Sequence, residues 1–289
     1  MHRTRLNLIL LALAVALGLA VYWSGPEEAV KPPLTALTPE AITRIEIEHP
    51  GAELIRLEKQ DGRWQLTAPV SARADSFEVN AVLGLATLDV QKTLPPGAAD
   101  LATLGLAPPR YRVRFDDVSL ELGGSEPLQY RRYVRRGEEV LLVNDPPSSA
   151  LDADFSDLVS KTLLPPGAVV KGLSLPGLTL SRGEQGWQAR GAQAAGATAE
   201  QMQALAQSWQ NASAMWNAQE PESRPRGEPL TVRLDDGSEL RFVLLAREPQ
   251  LLLSRPDLRV RYTLSRALAD ELLQLPPAAA PSPPPEASP

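Results

Sequence analysis

The chain is 289 residues long, with 29 basic against 35 acidic side chains, a formal charge of −6 and no cysteine. These values leave no disulfide framework, thiol nucleophile or zinc ribbon, and too little basic surface to neutralise nucleic-acid phosphates. The length has room for about two domains at roughly 100–200 residues each.

His2, Arg3 and Arg5 precede an uncharged run, Leu6–Trp23, and Ser24-Gly25-Pro26-Glu27-Glu28 closes it. A helix over that run spans roughly 27 Å at about 1.5 Å per residue, close to the ~30 Å hydrocarbon core of a bilayer. Tyr22 and Trp23 sit where an interfacial aromatic belt would. Arginines before the run and glutamates after it orient the start of the chain towards the cytoplasm. Residues 1–24 therefore read as a cytoplasmic tip and a single transmembrane anchor, crossing the bacterial inner membrane with residues 6–23. The bulk of the chain is then periplasmic. A cleaved signal peptide is the competing reading, with Ala16, Gly18 and Ala20 as small residues near a cut. Residues 25–40, with Pro26, Pro32, Pro33 and Pro39, read as a stiff spacer.

Ile45-Glu46-Ile47-Glu48 alternates as a strand does, and Leu54–Glu58 is its expected neighbour. Asp61-Gly62 turns the chain into a strand carrying Trp64. Asp75 and Glu78 form a capping-box start for a helix whose apolar face is Val79, Val82, Leu83 and Ala86. Tyr111–Leu122 reads as a hairpin around Asp116-Asp117, and Ala150–Leu163 as a helix stopped by Pro165-Pro166. The order then recurs. Thr198 and Gln201 start a second helix with the face Met202, Leu205, Ala206 and Trp209, Leu230–Val243 forms a second hairpin, and Ser265–Leu275 a closing helix. Pro276–Pro289 is a disordered Pro/Ala/Ser tail.

Position by position, Trp64 returns as Trp187 and Asp75 as Thr198, both shifted by 123. Val113-Arg114-Phe115-Asp116-Asp117 returns as Val232-Arg233-Leu234-Asp235-Asp236, shifted by 119, and Val140 answers to Val260, shifted by 120. This interval is too long for a solenoid. The pattern predicts an α+β protein: a tandem duplication of an antiparallel-sheet-plus-helix unit behind one transmembrane helix, with unit 1 at 41–167, unit 2 at 168–275 and the tail at 276–289. No glycine-rich nucleotide fingerprint opens a helix, so no cofactor is expected.

Gly62-Arg63-Trp64-Gln65-Leu66, Pro69, Ala74-Asp75, Leu104-Gly105-Leu106-Ala107-Pro108-Pro109 and the stretch from Tyr133-Val134 to Val140-Leu141-Leu142-Val143 carry a resemblance. In this order they resemble a bacterial periplasmic domain family of unknown function, the DUF4340 type. The likeness covers Ile42 to about Leu164; unit 2 has no counterpart of Leu104–Pro109. Members are similar to proteins encoded beside gliding-motility-type ABC transporters. The resemblance therefore implies an accessory subunit whose partners are an ABC transporter permease and a second periplasmic auxiliary subunit. It implies no catalytic residue.

Catalysis is not expected from the residues either. His2 precedes the anchor and His49 stands at a strand end beside Pro50-Gly51, so a histidine triad or zinc site lacks members. The Asp116-Asp117 and Asp235-Asp236 pairs suit turns better than metal or acid–base work, and Asp152, Asp154 and Asp157 suit a helix start. Trp64 and Trp187 read as shared core packing rather than sugar platforms. The remaining candidate is Arg131-Arg132-Tyr133-Val134-Arg135-Arg136, basic in an acidic body. Alternation puts Arg132 and Arg136 on one strand face and Arg131, Tyr133 and Arg135 on the other. It reads either as a charged edge strand or as a partner-docking strip. The leading expectation is a non-catalytic accessory subunit. The alternative is a ligand-binding or sensing module for a cell-envelope polymer or lipid, with a groove between the units.

Overall fold

Alternation dictates the strands: Ile45 and Ile47 are buried while Glu46 between them faces outward. The computed structural model describes residues 2–23 and 31–277 apart from 96, 98–99, 127, 147–149, 151 and 222–224; of 2–6, 8–9 and 20–23 it describes the backbone alone. Unit 1 holds β1 Arg44–Glu48, β2 Ile55–Gln60, β3 Arg63–Ala68, β4 Ala72–Arg73, β5 Val90–Leu94, β6 Tyr111–Phe115, β7 Val118–Glu126, β8 Arg131–Arg136 and β9 Glu139–Asn144. Unit 2 holds β10 Val170–Leu175, β11 Leu178–Gly183, β12 Gly186–Arg190, β13 Trp216–Gln219, β14 Glu228–Leu234, β15 Glu239–Ala246, β16 Leu251–Arg255 and β17 Val260–Leu264. The helices are α1 His2–Trp23, α2 Ser76–Leu83, α3 Ala199–Asn211 and α4 Arg266–Leu273.

The duplication is explicit in the topology. One sheet runs β4-β3-β2-β1-β6-β7-β8-β9-β5 and the other β12-β11-β10-β14-β15-β16-β17-β13. Apart from the short β4, the two orders are the same. In each, three strands meander from the centre to one edge, a helix carries the chain to a strand at the opposite edge, and four strands then run from the centre out to that strand. All the pairings are antiparallel, as expected.

Both helices bury the faces their spacing predicts: Val79, Val82 and Ala86 at 0 % exposure in unit 1, Leu205, Ala206 and Trp209 at 0 % in unit 2. Each large apolar side chain so buried contributes roughly 1.5–3 kcal/mol. Thr198 and Gln201 form the complete capping box. Asp75 caps α2 by accepting from the Phe77 and Glu78 amides, but Glu78 turns to Lys161 instead of closing the box. Trp64 and Trp187 are half-buried against the core. Each lies under a cation from the neighbouring strand, Lys59 and Arg182, at 5.9 Å in both units.

Three expectations change, and a fourth finds no support. The helix expected over Ala150–Leu163 gives way to turns and bridges across 152–164. There the Asp154 carboxylate accepts from the Ser156 and Asp157 amides, and Asp157 accepts from the Asp154 amide. Such local bonds compete with helix. Val140 and Val260 lie on equivalent strands but opposite faces: Val140 is half-buried and Val260 fully buried. A slip of one residue reverses the face, so the true counterpart lies an odd step away. The spacer expected at 25–40 lies outside the described residues up to 30. From Lys31 onward it is packed: Leu34 and Thr35 are buried, and their amides donate to Leu88 and Ala86. Finally, α1 is a helix of 22 residues, yet among the described residues no helix is long and apolar enough to cross a membrane. The tail beyond Pro277 lies outside the described residues.

Candidate functional site

Residues 152–164, which no repeat landmark touches, join the two units. On one side they bond unit 1: the Asp75 amide donates to Leu158 O at 2.8 Å and the Ser160 amide to Arg73 O at 2.9 Å. On the other they bond unit 2, with Leu163 N to Ala212 O at 3.1 Å and Ala214 N to Lys161 O at 2.8 Å. Asn217, 5 % exposed on β13, donates from Nδ2 to Val159 O at 2.7 Å and Ser156 O at 3.1 Å.

The same arrangement precedes unit 1. Pro33 bridges Asp89 there, as Thr162 bridges Ser213 here, and Leu34 and Leu163 are each 1 % exposed. The lead-in strand is therefore a piece of the repeat, and the lead-in of unit 2 is also bonded to unit 1.

Charge gathers at this junction. Lys161 Nζ lies 2.9 Å from Glu78 Oε1 and 3.7 Å from Asp75 Oδ2. Burial pulls its ammonium down, but Glu78 and Asp75 outweigh that and hold it above the ordinary lysine value. Asp157 is held above the usual carboxylate range by burial first and by the charges of Asp154 and Glu78 second. Across the seam Arg259 meets Glu53 at 2.8 Å and stacks 4.9 Å over Phe155. A small groove of about 150 Å³ opens here, lined by Arg73, Ser160, Thr162, Arg255, Leu258 and Tyr262 among others. Arg255 is engaged by Asp257 at 2.7 Å, and burial pushes the Tyr262 hydroxyl up to about 12. At that volume the groove is too small for more than a few heavy atoms.

The basic strand is not an edge. β8 lies between β7 and β9, which corrects the edge-strand reading. Its five expected docking residues divide between the sheet faces, as alternation requires. Arg132 and Arg136 share the face of buried Val134 and serve the fold: Arg132 bonds Asp145 at 2.6 Å and Gly123 O at 2.9 Å, and Arg136 bonds Glu139 and the Leu34 carbonyl. Arg131, Tyr133 and Arg135 share the outer face. Arg135 shares Glu121 with Arg112, and Arg112 also bonds Glu48, a charge ladder across β1, β6, β7 and β8. Burial raises the Glu121 carboxyl, but Arg135 and Arg112 outweigh it and hold it below the usual range. Only Arg131 and Tyr133 remain as uncommitted docking side chains on this face among the described residues.

His49 stands just past β1, edge-on to Tyr111 with ring centroids 5.2 Å apart. The Tyr111 hydroxyl donates to Asp152 at 2.6 Å, a bond that raises its pKa. Asp116 accepts from the Thr43 and Arg44 amides and Asp236 from Ser238, so one carboxylate of each pair is engaged at its turn. Among the described residues no three His, Cys, Asp or Glu side chains are grouped to hold a metal.

Compared with known proteins, residues 64–221 match a family model described as Domain of unknown function (DUF4340). The match begins at Trp64 in unit 1, crosses the junction and ends past β13 in unit 2, further along the chain than the motif likeness extended. No curated protein and no solved structure matches.

Proposed function

Because this chain belongs to the DUF4340 family, we propose that it is a non-catalytic accessory subunit of an ABC-type transport complex, held at the inner membrane by α1 and working in the periplasm. The observation that carries the reading is the junction. Two copies of one sheet-and-helix unit are joined by the lead-in of the second, which also bonds the first, and the family match runs through it. That is the build of a body presenting two related surfaces to partners, and the chain has no cysteine and only two histidines with which to do chemistry. Leu10, Leu11, Leu13, Val15, Leu17 and Leu19 on α1 are 54–62 % exposed. Uncovered apolar side chains on that scale favour a bilayer or a partner around the helix.

The test is to tag the C-terminus, extract native membranes in mild detergent, and identify what copurifies. A permease and its ATPase at near-stoichiometric levels support the proposal. Recovery of the chain alone, with crosslinking as well, overturns it. The docking strip is tested with Arg131→Glu, since Arg132 and Arg136 hold the fold and their loss would confuse folding with docking. The small junction groove counts against the second reading, a sensor of an envelope polymer or lipid; a ligand-dependent thermal shift would favour it.

A further inference from the structure

The two units hold their lead-in strands differently. β8 and β16 occupy the same place in their sheets, and each ends on an arginine. Arg136 closes β8 and donates to the Leu34 carbonyl, in the lead-in of unit 1. Arg255 closes β16 but makes no such bond. Its Nε and Nη2 donate to Asp257 at 3.0 and 2.7 Å, and its guanidinium stacks 5.1 Å from the Phe242 ring. Arg255 Nη1 donates to nothing among the described residues. The groove of about 150 Å³ lies here, lined by Arg255 and by residues of the unit 2 lead-in from Val159 to Pro165.

The lining sets unmet donors against an apolar wall. Tyr262 is 1 % exposed and lines the groove, yet its hydroxyl has no hydrogen-bond partner among the described residues. Burial keeps that hydroxyl protonated, with its pKa pushed up to about 12, so it is a donor at neutral pH. A buried hydroxyl without a partner is costly, and an acceptor oxygen beside it removes the cost. Arg73, on β4 of unit 1, lines the same groove, and no acid pairs with it among the described residues. Asp257 neutralises Arg255, which leaves Arg73 as the uncompensated cation. No aspartate or glutamate is among the described residues of the lining, whereas Leu163, Leu164, Leu240 and Leu258 are.

We propose that this groove binds a carboxylate on a short apolar stem, wedged between Arg73 of unit 1 and Tyr262 and Arg255 of unit 2. The carboxylate supplies the missing acceptor oxygens, Arg73 the counter-charge, and the leucines the wall for the stem. At this volume the stem has only a few carbons. Bound there, the ligand ties the two units together across the junction, a role that goes beyond the transport reading and does not depend on it. The probes are propionate, for a free acid, and N-acetylalanine, for the carboxyl end of a partner's chain. Each is titrated against the full chain in nanodiscs by saturation-transfer difference NMR. Saturable binding of either supports the proposal and identifies the source. We expect that binding to weaken about tenfold in Tyr262→Phe, which removes only the hydroxyl, and in Arg73→Gln. Propionamide, equal in size but uncharged, should bind about tenfold more weakly than propionate. The melting temperature should rise with the bound acid in the wild type and rise less in Tyr262→Phe. No saturable binding of either acid overturns the proposal, as does equal binding by both folded variants. So does tighter binding of inorganic phosphate, which would make the groove a site for inorganic anions. The titration contains no transporter, so its failure is distinct from failure of the copurification.

Discussion

Asn217→Ala should uncouple the junction without touching either sheet. Asn217 Nδ2 donates to Val159 O and Ser156 O from a 5 % exposed site. Ser156 O keeps a second donor, the Val159 amide at 3.2 Å. Val159 O keeps none among the described residues. Leaving a buried carbonyl unpartnered costs about 1–3 kcal/mol and losing the second bond about 1 kcal/mol. Asn217 Oδ1 is itself unpartnered, so its removal returns about 1 kcal/mol. The net expected loss is about 2 kcal/mol, or roughly 0.7 M in the urea midpoint for a slope near 3 kcal/mol/M. Tryptophan fluorescence during urea denaturation measures it. Asn217→Asp is the sharper variant. Its carboxylate would face two carbonyl oxygens with no donor, so at pH 7 it should lose more than the alanine. Burial would raise its folded pKa above the unfolded value near 3.9. The folded state then binds the proton more tightly, and stability relative to wild type recovers as pH falls through the folded pKa. A loss under about 0.5 kcal/mol for the alanine, or an aspartate no worse than it, would refute this account of the junction.

Lys161→Met removes one close charge pair and one longer one at three-quarters-buried groups, and should cost about 1.5–3 kcal/mol by the same denaturation assay. Asp157→Asn should raise the melting temperature at pH 7, because the wild-type carboxyl is held above its unfolded pKa and is costly once ionised. That gain should vanish as pH falls below the ordinary carboxylate value, and a gain that persists at acid pH would point elsewhere. Gly123→Ala drives a methyl into Leu104 O and should destabilise by about 1–3 kcal/mol, with faster proteolysis between residues 95 and 110 as the local readout.

Much of the fold was legible because two periodicities survive duplication. Spacing at i, i+3, i+4 and i+7 placed Val79, Val82, Leu83 and Ala86 inward, and the same residues of unit 2 followed. The hairpins around Asp116 and Asp235 followed from turn chemistry. The candidate sites were less legible. Four clustered arginines looked like one strip, but period-2 geometry divides them between two faces, Arg132 and Arg135 are bound by acids distant in sequence, and Arg136 by Glu139 three residues on. The junction escaped notice because its cue, an Asp-rich run before two prolines, also describes a helix start.

The sequence by itself determined the repeat, the antiparallel α+β class and the inward faces, because those depend on neighbours a few residues apart and on the alternation of side chains. Only the tertiary structure decided what residues 152–164 become, since their backbone groups are claimed by Arg73 and Asp75 on one side and by Ala212 and Ala214 on the other. It also decided that Leu104 and Leu106 are buried against Gly123 and Gly124. Burial of that kind depends on which distant surface a segment meets, and local pattern does not encode it.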